Sequence, residues 1–170
     1  MAISMLVVGL LGFFAGQPWL IPSLGPTAYL QAETPAHPTT RFYNTIVGHF
    51  VGLVAGFGSV ALLNAWDAPA VLTSKELVLV RVFAAVIAMV LTIGVAPLLR
   101  ASHPPAAATT LLVALGSLKT LNDAINVMIG VIIVAVVGEL LRRARLGELR
   151  FDPKKQEQAR PAPIVTQTPR

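Results

Sequence analysis

Five stretches of this chain carry no charged side chain: 1–32, 42–66, 82–99, 101–118 and 124–138. A bilayer's hydrocarbon core takes about 20 apolar residues of helix. Backbone inside lipid must also bond to itself, which leaves helices or closed barrels. Several of these runs are long enough to cross. The remainder of the composition agrees: 12% of residues are charged and the mean hydropathy is +0.72, whereas a soluble domain carries roughly 25% charged residues.

The charge that exists is polarised. The net charge of +5 comes from the end of the chain, where Arg142, Arg143, Arg145, Arg150, Lys154, Lys155, Arg160 and Arg170 follow the last apolar run. Such a cluster is first a topology signal that marks the cytoplasmic side; lipid or nucleic-acid binding is the lesser reading, and no nucleic-acid partner is assigned. The chain has no cysteine, so disulfides, thiol catalysis and cysteine metal sites are excluded. The first apolar run lacks the basic start and the small-residue cleavage site of a signal peptide.

Punctuation within the apolar runs divides the chain. A first helix is expected from Met1 to about Leu20, ending at Gln17-Pro18, with Trp19 suited to the membrane interface. A Pro- and Gly-rich break, Pro22 to Thr27, opens a short segment that closes near Glu33. Residues 34–41, with two prolines, read as a loop without a helix. Phe42 to Asn64 is a long helix carrying Gly48, Gly52 and Gly56 on one face, a ridge that admits another helix closely; Trp66, Asp67 and Pro69 close it. A third long helix runs from about Leu77 to Leu99, with Arg81 snorkelling from its start. Then Ser102-His103-Pro104-Pro105 breaks the chain again, because proline offers no N–H and pushes its predecessor out of the α region. A short helix from Pro105 to about Leu115 and a long one from Asn122 to about Leu141 complete the domain. Asn44, Asn122 and Asn126 are expected to cap or join helices, and Asp123 and Glu139 to sit at the interface. The rest, from Leu146, reads as a basic, mostly disordered tail.

Each half therefore reads long helix, break, short helix, turn, long helix. Pro26 to Asn44 is 18 positions (44 − 26) and Pro105 to Asn122 is 17 (122 − 105). The fold class expected is an all-α integral membrane protein: four long transmembrane helices plus two short broken or re-entrant helices in an internal two-fold repeat. Broken helices at matching positions of two halves point to a transport site. If the short helices re-enter, there are four spans and parallel halves; if they cross, there are six spans and inverted halves. Both arrangements put the two termini on one side, in the cytoplasm. They differ at Arg41, Arg100 and Lys75, too few charges to decide.

A helix start inside a membrane presents unpaired N–H groups and the positive end of a dipole, which attract anions. The candidate site residues are accordingly Ser23, Gly25 and Thr27 at the first break and His103, Pro104, Pro105, Ala106 and Ala107 at the second, with the amides of 106–108 unpaired. His49, beside the glycine ridge, completes the set. Imidazoles and hydroxyls could donate to an anion, and a histidine could carry a proton. Blander roles compete: Ser and Thr often bond to their own helix backbone, Gly25 suits a turn, and His49 could serve helix packing. Two histidines lack a third ligand, so no metal and no cofactor is assigned. No P-loop, Gly-x-Ser-x-Gly or His-Glu-x-x-His is present, and an enzyme is not expected.

Ser102-His103-Pro104-Pro105-Ala106-Ala107-Ala108-Thr109 resembles the His-Pro-Pro signature of the HPP family of integral membrane proteins. Pro22-Ser23-Leu24-Gly25-Pro26-Thr27-Ala28 is similar to its earlier Ser-Phe/Leu-Gly-x-x-Ala element, and Arg41, Asn44 and Gly48-His49 to its Arg-Asn…Gly-His element. This chain departs in having Phe42-Tyr43 between Arg41 and Asn44, and Pro26 inside the first element. The resemblance implies an HPP-like transmembrane domain over 1–145, with 146–170 as the tail, and a four-helix membrane protein; some members are implicated in nitrite transport. The expected function is a transporter or channel for a small anion, nitrite leading, in a multi-pass homo-oligomer of the inner membrane whose partners are that anion and the lipid bilayer. The alternative is a non-transporting membrane scaffold whose basic tail binds lipid or a cytoplasmic partner.

Overall fold

The computed structural model describes residues 1–147, and the basic tail beyond lies outside them. The described residues form seven α-helices: α1 (Ala2–Ala15), α2 (Leu24–Glu33), α3 (Phe42–Leu62), α4 (Val71–Ser74), α5 (Leu79–Leu98), α6 (Ala106–Ala114) and α7 (Leu121–Arg145). Three of them, α3, α5 and α7, are long and apolar enough to cross a membrane.

The expected fourth long helix is shorter. α1 has 14 residues, about 21 Å at 1.5 Å per residue. It stops at Gly16, whose φ of 63° is left-handed. The Gly16 and Gln17 amides bond back to Phe13 and Gly12, which closes the last turn in a Schellman cap. The same cap ends two other helices without glycine: Asn64 (φ 47°) stops α3 and Arg100 (φ 53°) stops α5. Thus α3 ends before Trp66, Asp67 and Pro69, and α5 ends at Leu98, close to the expected Leu99, with Pro97 accommodated inside it. The loop expected at 34–41 contains one 3-10 turn, Pro38–Thr40.

The short helices lie against the long ones. A Cβ on Gly48 would stand 2.6 Å from the Cβ of His103, one on Gly52 2.9 Å from the carbonyl of Ala106, and one on Gly56 2.6 Å from the Cβ of Val113. The glycine ridge is thus the bed on which the second break and α6 rest, and α6 runs in the same direction as α3. On α7 the matching positions are Gly130, under the Trp19 carbonyl and Leu24, and Gly138, under Gln31. α2 therefore runs in the direction of α7. α6 and α7 are joined by six residues, 115–120, so α7 starts where α6 ends and returns antiparallel to α3. Two consequences follow. α2 and α6, of 10 and 9 residues, are each about 15 Å or less, half a bilayer core. Each begins beside a glycine near the middle of a long helix, and they run toward opposite ends.

The helices of one half also pack chiefly on the last helix of the other. α5 and α6 pack on α3, and α1 and α2 pack on α7, while α3 and α7 pack on each other. The apolar centre is built from Val8, Leu24, Leu53, Val113, Val127, Val131 and Val134.

Polar joints hold the connections. The Asn44 amide donates to the carbonyls of Arg100 (3.2 Å) and Ser102 (3.1 Å), pinning the second break to the start of α3. Trp19 is half-buried, and its indole N–H donates to Asn126 Oδ1 at 3.1 Å. Arg81 does not snorkel. It is 1% exposed, and its guanidinium donates to the carbonyls of Ala68, Pro69 and Ala114. Glu139 bridges Arg142 and Arg143 within α7. Thr120 and Asp123 form a capping box at the start of α7, with Thr120 Oγ1 accepting from the Asp123 amide at 3.1 Å. Thr120→Ala is expected to lower stability by about 1 kcal/mol, read as a modest fall in the unfolding midpoint of the purified protein; an unchanged midpoint would show that the box is dispensable.

Candidate functional site

Of the nine residues singled out in the sequence, the fold gathers Thr27, His49 and His103 into one buried cluster. Thr27 stands on the first turn of α2, His49 on α3 one turn along from Thr45, and His103 in the second break. The Thr27 hydroxyl lies 2.9 Å from His49 Nε2 and 3.3 Å from His103 Nε2, and it also reaches the Ser23 carbonyl at 3.2 Å. The two imidazoles are 5.1 Å apart, centre to centre. Their other nitrogens are engaged as well. His49 Nδ1 lies 2.7 Å from the Thr109 hydroxyl, and His103 Nδ1 lies 2.8 Å from the Thr39 carbonyl.

Local sequence explains the placement. Gly48 lets the His103 backbone approach α3, so the neighbouring His49 faces the same cluster. Pro104 and Pro105 remove two amides, which leaves the irregular stretch before α6 to be held by Asn44. Thr27 is four residues after Ser23 and can touch its carbonyl, the usual back-bond of a hydroxyl in an apolar helix.

The remaining candidates have different settings. Ser23 is fully buried and its hydroxyl has no hydrogen-bond partner among the described residues; the same holds for Thr45 Oγ1. Pro105 caps α6 and Ala106 is buried against Gly52. Pro104 is exposed and Ala107 half-buried. Gly25 is half-buried with open space where a Cβ would stand, so no close approach demands glycine there.

The expectation of free amides at the helix starts is corrected. The Ala106, Ala107 and Ala108 amides donate to the carbonyls of His103, Pro104 and Pro105, and those of Leu24 and Gly25 to Ile21 and Pro22. Tight i to i+3 turns precede both helices and use the groups a helix start otherwise leaves unpaired. Donors for a ligand must therefore come from side chains.

His103 also borders a cavity of about 340 Å³, walled by Met89, Thr92, Ile93 and Pro97 on one side and by Ser102, Pro104 and Ala107 on the other. His49 is fully buried and does not line it. The Thr92 hydroxyl lies 3.0 Å from that of Thr110, and each also has the carbonyl four residues before it within reach as an acceptor, so one of the two donates across and the other to its own helix. Among the described residues no group of three His, Cys, Asp or Glu side chains is placed to hold a metal.

Sequence reasoning missed Thr39 and Thr45. Thr39 sits in the Pro-rich connection read as a plain loop, and only its carbonyl takes part, so no side-chain signal could have marked it. Thr45 is one helical turn before His49, a spacing that could have drawn attention.

An all-helical chain with three helices of membrane-crossing length and composition, and a polar cluster closed off between them, is an integral membrane protein. Residues 1–148 match the family model described as HPP, transmembrane region, and the chain belongs to that family. No curated protein and no solved structure matches the chain.

Proposed function

We propose that the protein is a transporter or channel for a small anion, with nitrite the leading candidate. The observation that carries this reading is the convergence of the starts of two short helices on His103, whose ring borders the 340 Å³ cavity and is joined through Thr27 to the other half of the chain. The halves act as an inverted two-fold repeat: every connection reverses direction, and each half seats its short helix on the other's last long helix. Short-helix starts directed toward one region place their positive ends there. With the amides bonded internally, His103 and Ser102 are the groups that meet the solute, and Thr27 and His49 back them; Ser23, Gly25 and Pro104 to Ala107 shape the surroundings. The solute passes without chemical conversion, and the protein is neither an enzyme nor a cofactor carrier. The protein is an oligomer of the inner membrane with both termini in the cytoplasm, the side that the basic cluster from Arg142 marks.

Nitrite flux into vesicles containing the purified protein tests this. His103→Ala should lower the initial rate by about tenfold or more, equivalent to roughly 1.4 kcal/mol of barrier. His37→Ala, at an exposed histidine, should leave it unaltered. No flux in the intact protein under any gradient, with loss of its cellular effect on deletion beyond Leu146, would favour a membrane scaffold instead.

A further inference from the structure

We infer that the His49–Thr27–His103 chain is a proton-binding site, that the extra proton resides on His103 Nε2, and that it moves together with the anion. This inference rests on the transport reading above and adds the coupling ion to it.

Hydrogen-bond accounting leads there. A carbonyl only accepts, so His103 Nδ1, at 2.8 Å from the Thr39 carbonyl, must carry a hydrogen. In neutral His103 the Nε2 is then bare and can only accept, and its one hydrogen-bond partner among the described residues is the Thr27 hydroxyl. Thr27 therefore donates to His103 Nε2 and uses its lone pairs for His49. That sets His49 as donor from Nε2, with its Nδ1 accepting from Thr109. A single directed chain results: Thr109 O–H to His49, His49 N–H to Thr27, Thr27 O–H to His103, His103 N–H to the Thr39 carbonyl.

The chain has room for one more proton, and at one place. If His103 Nε2 gains a proton from water, it becomes a donor to Thr27. The Thr27 hydroxyl hydrogen must then turn away, and the Ser23 carbonyl at 3.2 Å is there to receive it. Every group stays paired in both states. A proton on His49 Nδ1 has no such outlet, because the Thr109 hydroxyl has no second acceptor among the described residues. His103 is also the histidine that borders the cavity, whereas His49 is sealed.

Coupling follows from the cost of buried charge. An imidazolium alone, or an anion alone, is expensive away from water, and side by side they are neutral as a pair. No other charge in the surroundings substitutes. On the elements packed around His103, α6 has no ionisable side chain and α5 has none from Val82 to Leu98. On α3 the ionisable groups are His49 and Tyr43, which is exposed and donates to the Leu99 carbonyl. On α2, Tyr29 is exposed and Glu33 lies at the far end; His37 beside the 3-10 turn is exposed and bonded to Thr39 Oγ1, and Arg41 and Arg100 are exposed.

The test uses vesicles holding the full chain, sodium nitrite as probe, an internal pH dye, and potassium with valinomycin to fix the membrane potential. Protein-free vesicles report leakage of the undissociated acid. With acid outside and no potential, the intact protein should raise the initial rate of nitrite uptake above the leak, acidify the interior in step, and approach accumulation of about tenfold per pH unit, as one proton per anion requires. Thr27→Val should abolish the pH-driven component and Thr27→Ser should restore it. Nitrite driven by membrane potential with no proton uptake would overturn the coupling and leave the transport reading standing. Nitrite immobile under both gradients would overturn transport itself. Nitrogen-15 NMR of the histidine rings then decides the proton site separately: on acidification, His103 Nε2 should become protonated before His49 Nδ1. The reverse order, or two rings that stay neutral, would overturn it.

Discussion

Arg81→Met is expected to cost the fold about 3 kcal/mol or more, and to do so without touching the candidate site. The guanidinium is fully buried, and it serves three carbonyls on two separate pieces of chain: Ala68 at 2.7 Å and Pro69 at 3.2 Å after α3, and Ala114 at 3.1 Å at the end of α6. Methionine fills similar space and offers no donor. The Ala114 carbonyl would be left buried and unpaired, at about 1–3 kcal/mol, and the half-buried Ala68 and exposed Pro69 carbonyls would lose their charged partner as well. The charge has a second role. Its partners are carbonyls rather than a carboxylate, and Ala114 is the last residue of α6, where the helix dipole is negative. Gly116 reflects how tightly the group is held: its φ is 83°, and a Cβ there would stand 2.5 Å from an Arg81 nitrogen. Arg81→Lys should recover only part of the loss, because an ammonium lacks the flat fork that reaches three acceptors at once. The measurement is the unfolding midpoint of the purified protein in detergent. A midpoint for Arg81→Met within error of the intact protein would refute the bracing role.

The second large effect is expected at Gly52. A Cβ there would meet Thr110 Oγ1 at 2.8 Å and the Ala106 carbonyl at 2.9 Å. The hydroxyl can turn, but the carbonyl is backbone at the start of α6 and can yield only if the helix moves. Gly52→Val should therefore push α6 off α3. Overpacking of this kind costs about 1–3 kcal/mol. Because α6 follows directly on His103, the displacement should also part His103 from Thr27, so nitrite flux should fall along with the midpoint. Gly58→Ala supplies the comparison within the same helix, since nothing lies within 4 Å of a Cβ there. If valine at position 52 behaves like alanine at 58, the close seat of α6 on the ridge is not what holds the cluster together.

These expectations show where the sequence was readable. The spacing of Gly48, Gly52 and Gly56 announced a close helix contact, and the structure supplies the partner, α6. The prolines announced both breaks. The stops of α3 and α5 fell within two residues of those read from the sequence, whereas α1 stops about five residues early, because Gly16 closes it in a left-handed cap before Gln17-Pro18 is reached. Arg81 looked like a residue that reaches for the surface, since the carbonyls it serves come from the loop after α3 and the end of α6, which meet only after folding. The amides of 106–108 looked free because the tight turn that bonds them depends on how the His-Pro-Pro segment is seated on α3.

The membrane setting, the helical class, the two breaks and the residue types at them were determined by the sequence alone. Local chemistry suffices for these: apolar runs must satisfy their backbone internally, and proline interrupts a helix wherever it falls. The tertiary structure decided which of those residues meet. Thr27 lies 22 positions from His49 and 76 from His103, separations that no periodicity links. Only the seating of α2 on α7 and of α6 on α3 brings the three together, because small residues there allow backbones to approach and the buried polar groups must then find partners inside the fold.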